Sequence, residues 1–172
     1  KNAIAQKREL TEVKDAADSL YEAAGKLTDT STSKSLFKKA DKVTNDITSA
    51  VKDYVKNYNS LIEEAADTTN SKVTGKVSFM TGQANAYKSS LENVGITINS
   101  DKTLSVDEDT FKKSDISDVK KLFNGSGSMA YQTFVRASDI SSAAENASTS
   151  VTSYGADGMY NNYYNSAYNW YL

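Results

Sequence analysis

The side chains that most often carry out catalysis are missing from this chain, which has no histidine and no cysteine. Without cysteine there is no disulfide, thiolate nucleophile or thiolate-held zinc, and without histidine the commonest general base and metal ligand is lost. Serine, lysine and carboxylate chemistry remain. Glu63 and Glu64 are neighbours in a helical stretch and diverge by about 100°, so they do not converge as an acid–base pair. Asp101 with Asp107, Glu108 and Asp109 suggests a calcium loop, but an EF-hand needs glycine at its sixth position and glutamate at its twelfth. Counting from Asp101 gives Val106 and Lys112, and counting from Asp107 gives Lys112 and Asp118. Acidic groups complementing a helix N-terminus are the better account. Gly125, Gly127 and Ala130 match GxGxxA, which cradles a pyrophosphate only between a strand and a helix. Here Asp118 to Phe123 reads as helix, so a helix-to-helix connection is expected. No SxxK with its supporting motifs stands out. The chain is therefore expected not to be an enzyme, with no catalytic, cofactor-binding or metal-binding residues and no cofactor.

What remains is contact chemistry. The segment from Gly155 onward holds two glycines, four asparagines, five tyrosines and Trp170, with Asp157 its one charged side chain. Tyr160, Tyr163, Tyr164, Tyr168, Trp170 and Tyr171 are the candidate interaction residues, because such rings offer large contact area at low entropic cost. Folding back over the chain's own helices and a low-complexity adhesive tail are the alternative readings. Asn124 and Asn146 begin N-x-S triplets, which matter only in a glycosylating host.

These groups must be positioned by 172 residues carrying 20 basic and 22 acidic side chains. A compact chain of this size can bury roughly 70% of the surface exposed when unfolded, so a core needs no staples. The balanced charge gives no basic face, and no nucleic-acid partner is expected. No stretch approaches the ~18–20 apolar residues of a membrane span, and the start at Lys1 and Asn2 does not resemble a signal peptide. Average usage would place roughly eight or nine prolines in such a chain. It has none, which favours long helices.

The apolar spacing bears this out. Leu10, Val13, Ala17, Leu20, Ala24 and Leu27 predict a helix over 2–27, followed by a polar loop with Ser33 as N-cap. The seam resumes over 34–68 through Phe37, Ala40, Ile47, Val51, Tyr54, Tyr58, Leu61 and Ala65, interrupted at Thr44. A third runs from Val73 through Val77, Met80, Ala84, Tyr87 and Leu91 to Val94, ending at Gly95. After Gly95 the period falls to two. Ile96 and Ile98, then Leu104 and Val106, predict a β-hairpin over about 96–106 that needs a helical surface to cover it. Short turns capped by Asp107 and by Ser114 or Asp115 follow, and then a last helix over 128–153 with an alanine-rich seam. The expected fold is mostly α, an elongated antiparallel helical bundle with heptad-like, coiled-coil seams and the hairpin packed on it. Residues 1–154 make the helical domain and 155–172 a Tyr/Asn-rich tail.

Two stretches carry a family likeness. Val51 to Ala65, VKDYVKNYNSLIEEA, resembles the helix in the C-terminal region of flagellar hook-associated protein 2, the filament cap protein, with its aromatic–valine pair, Tyr-Asn and an aliphatic pair. Ser90 to Gly125 is similar to that family's Gly-Ile strand, turn, Leu-x-x-Asp-Glu step and Leu-Phe-x-Gly stop. The resemblance implies a relative lacking the outer β-rich domains, since only Thr28 to Ser33 joins the first two helices, and Lys102 stands where the family's turn usually has glycine. It implies a secreted, extracellular, self-assembling structural protein of the bacterial flagellum. Its partners would be itself or other flagellar and surface proteins, an oligomer among the outcomes. The alternative is a secreted or cell-surface recognition module whose tail binds a glycan or a partner protein.

Overall fold

The computed structural model describes residues 1–31 and 33–153. The candidate interaction residues Tyr160, Tyr163, Tyr164, Tyr168, Trp170 and Tyr171 lie outside the described residues.

The first helix, α1 (Ala3–Thr28), starts where the Asn2 side chain accepts a hydrogen bond from the Ala5 amide, and it buries its whole predicted seam. The second, α2 (Asn45–Asp67), buries Ile47, Val51, Tyr54, Tyr58, Leu61 and Ala65. It begins eleven residues later than the seam suggests, and Ser33 caps no helix. The reason is local. Thr44 Oγ1 accepts from the Ile47 amide at 3.2 Å, while the Thr44 carbonyl accepts from the Thr48 amide and hydroxyl, so the Thr44 that interrupts the seam is itself the N-cap. Ahead of it the chain turns, and Phe37 is buried from a loop that Lys120 Nζ holds by donating to the Ala40 carbonyl at 3.1 Å.

The third helical stretch is also broken. Helix α3 (Ser71–Ala84) gives way to a 3-10 turn at Asn85–Tyr87 and then the short α4 (Lys88–Asn93). At the break the Tyr87 hydroxyl accepts from Gln132 Nε2 at 2.9 Å, tying the turn to the last helix. Strands β1 (Ile96–Ile98) and β2 (Leu104–Val106) pair antiparallel with Ile98 opposite Leu104. Gly95 before them has φ +80°, and a Cβ there would lie 2.8 Å from Thr110 Cβ, so a side chain is excluded by conformation and by space. In the hairpin turn Lys102 has φ +75°, the left-handed region that favours glycine, at a cost of about 1 kcal/mol.

Asp107 and Asp115 cap α5 (Glu108–Lys112) and α6 (Ile116–Phe123), accepting from the Thr110 and Ser117 amides. Helix α7 (Met129–Ser153) then runs antiparallel to α1, with Tyr21 stacked on Phe134 at 4.2 Å and Ser141 donating to Asp18 at 2.5 Å. Ala130, Ala137 and Ala144 are buried in its seam, and small residues there let α1 and α7 form the most extensive helix pair. The fold is mostly α, with the two-stranded sheet packed on the helices. Among the described residues no helix is long and apolar enough to cross a membrane.

The hairpin is held by α2. Asn59 accepts from the Leu104 amide at 2.8 Å and donates to the Leu104 carbonyl at 2.9 Å. Lys52 pairs with Glu108 at 2.7 Å, and Lys112 closes on the same carboxylate at 2.9 Å. Beneath these contacts Phe123 stands edge-on to both Tyr54, at 5.7 Å, and Phe111, at 6.4 Å. The result is a closed clasp of α2, hairpin, α5 and α6.

Candidate interaction groove

Three of the carboxylates that the sequence offers for chemistry, Asp101, Asp107 and Glu108, are engaged structurally. Asp101 accepts from the Thr103 amide at 3.0 Å and from its hydroxyl at 2.5 Å, and Asp107 caps α5. These hydrogen bonds hold both carboxyls below the usual carboxylate range. Glu108, gripped by Lys52 and Lys112, is lowered to about 2. Asn124 donates to the Leu27 carbonyl at 2.8 Å, closing the last turn of α1, and Gly125 and Gly127 connect α6 to α7 as a helix-to-helix link.

Two buried phenols lie in the clasp. Thr133 Oγ1 donates to the Met129 carbonyl, so the Tyr54 hydroxyl, 2.7 Å from that oxygen, is the donor to it. The fully buried Tyr58 hydroxyl has no hydrogen-bond partner among the described residues. Burial pushes both phenols up, far from any working pH, which suits packing and not proton transfer.

The open surface lies elsewhere. A groove of about 1220 Å³ runs between the start of α1, the first half of α3 and the second half of α7. It exists because α3 meets α7 closely only at its far end, where Tyr87 reaches Gln132 and Gln83 accepts from Arg136 Nε at 3.2 Å. Toward Ser71 the groove separates the two helices. Its size exceeds the roughly 300–1000 Å³ of small-molecule pockets and fits a length of polypeptide better.

Its chemistry is cationic and aromatic. Lys1, Lys72, Lys76 and Arg136 line it against a single acidic side chain, Asp139. Lys1 Nζ is bound to Glu9 at 3.1 Å and to the Asp67 carbonyl, fastening α1 to the end of α2. Arg136 stands 4.9 Å over the ring of Phe79 and pairs with Asp139 at 3.1 Å. Lys72 and Lys76 are exposed and have no acidic partner within 4.0 Å among the described residues. Phe79 is 55% exposed, an uncommon state for so large an apolar ring.

No single stretch of sequence signals this groove, because its walls come from three separate helices. The one local sign is the placement of Gly75, Lys72, Lys76 and Phe79 on α3 away from the buried Val73, Val77 and Met80.

No family model, curated protein or solved structure matches the chain.

Proposed function

We propose that the chain is a non-enzymatic structural subunit of the flagellar hook-associated kind, secreted and acting through helix-to-helix contacts. The observation that carries this reading is the clasp. The two stretches that resemble the cap-protein family are far apart in sequence, yet they meet in one unit through Asn59 on Leu104 and Lys52 on Glu108. A resemblance made of unrelated fragments would give no reason for its parts to interlock. A second support is the engagement of Asp101, Asp107 and Glu108 in turn, cap and docking contacts, which is a scaffold's use of them.

In this reading the clasp holds the hairpin on the helices and the groove receives a partner. Sedimentation velocity over a wide concentration range, with co-pelleting on purified flagellar filaments, tests it. Reversible self-association or co-pelleting is expected. A chain that stays monomeric at the highest concentration and remains in the supernatant would remove the reading.

A further inference from the structure

We infer that the groove between α1, α3 and α7 is the docking site of residues 155–172 of the same chain, which therefore compete with any outside partner for it. The inference rests on reading the groove as a contact surface, and it names the first occupant of that surface.

Position is the first argument. Val151 lines the groove, so the segment leaves α7 at the groove's own end. The α7 wall from Arg136 to Val151 spans about 22 Å, a length that about seven extended residues cover. The 18 residues from 155 to 172 exceed that length. Because α1 runs antiparallel to α7, the start of α1 lies at this same end, where Ile4 is 84% exposed beside the groove-lining Ala3.

Chemistry is the second. The walls offer Lys72 and Lys76, which have no acidic partner among the described residues, an exposed aromatic ring and the amides and hydroxyls of Asn70, Asn146 and Ser150. The segment supplies five tyrosines, Trp170 and Asp157 with no basic side chain. Ring faces suit lysine and arginine, and phenol hydroxyls suit the polar rim. Gly75, with nothing within 4 Å of the place its Cβ would take, lets a ring approach the α3 backbone.

Tethering decides between copies. A short covalent tether gives an effective concentration in the millimolar range, above that of any second copy at micromolar protein. For a weak site with Kd of about 0.1 mM, the docked form of the same chain would exceed the undocked form about tenfold.

The chain's only tryptophan, Trp170, is a built-in reporter. In the full chain at micromolar concentration, its emission is expected to be blue-shifted and its iodide quenching several-fold weaker than in a synthetic peptide of residues 155–172. The double substitution Lys72→Glu/Lys76→Glu, at exposed positions, is expected to return quenching to the peptide's level with helical circular dichroism unchanged. Trp170 as quenchable in the full chain as in the peptide overturns the inference, as does a double variant with protection intact. Protection that grows with protein concentration assigns the segment to a second copy and also overturns it. The dilute-chain measurement reads docking whether or not the protein assembles, so it fails independently of the filament test.

Discussion

The clasp around α2 and the groove beside α7 differ in how their polar groups are spent. In the clasp the groups at the contacts have internal partners: Asn59 with the Leu104 backbone, Glu108 with Lys52 and Lys112, Asp107 with the Thr110 amide. In the groove Lys72 and Lys76 have no acidic partner among the described residues, and Phe79 faces outward. Satisfied groups make a region rigid and self-sufficient, whereas unspent ones make it available. The comparison teaches that this chain spends its polar contacts on its own fold on one side and leaves Lys72, Lys76 and Phe79 exposed on the other.

The sharpest way to break that contrast is a matched pair of aromatic truncations. Phe123→Ala in the clasp removes a fully buried ring and should cost about 3–5 kcal/mol. Phe79→Ala in the groove should stay within about 0.5 kcal/mol. Urea unfolding followed by circular dichroism measures both, and equal losses would erase the distinction.

Asn59→Ala comes next. It strands the amide and carbonyl of Leu104, a residue only 3% exposed, and should cost about 2 kcal/mol. Hydrogen exchange would show the loss first at the Leu104 amide. A global loss with that amide still protected would mean that Asn59 acts on α2 alone.

The two buried phenols give a smaller and signed test. Tyr54→Phe deletes a hydrogen bond to Thr133 and should destabilise by about 1 kcal/mol, while Tyr58→Phe removes an unpartnered hydroxyl and should be neutral or stabilising by up to about 1 kcal/mol. Thermal melts of both variants decide it. Similar losses in the two would show that Tyr58 has a partner after all.

The smallest effect is electrostatic. Glu108 sits at about 2 in the folded chain against an ordinary 4.5, because Lys52 and Lys112 donate to it. Its contribution is complete above about pH 4.5 and fades as pH falls toward 2, where the folded carboxyl also protonates. Between those limits the unfolded chain takes up the proton first, so stability drops with falling pH. Glu108→Gln should flatten that part of the stability profile, read by denaturant midpoints at a series of pH values. The carboxylate is exposed, so added salt should shrink the difference.

The same contrast explains what the sequence displayed. The seam of α1, the change of period at Gly95 and the caps at Asp107 and Asp115 are local signals, and the structure follows them. The late start of α2 had a signal too, since Thr44 followed by Asn45 and Asp46 is cap chemistry. Phe37 and Ala40 masked it, because apolar spacing alone does not separate a helix from a loop that buries its aromatic residue. The break at Asn85–Tyr87 reflects a tertiary tie to Gln132, and Asn59 reads as an ordinary polar helix residue until a strand lies beside it. The groove was the least legible feature, since beyond the stripe of Lys72, Gly75, Lys76 and Phe79 it depends on how far α3 parts from α7.

Asn59 has one more consequence. Ile98 and Leu104 face each other as the pair between the Asn99–Thr103 hydrogen bond and the next rung, so the Leu104 backbone points away from β1. That outer rim is where a foreign strand would add, and such open rims are templates for aggregation. The Asn59 carboxamide occupies it as a one-residue imitation of a third strand. The ribbon is thereby ended by a helix side chain, and its outer rim is closed to a foreign strand.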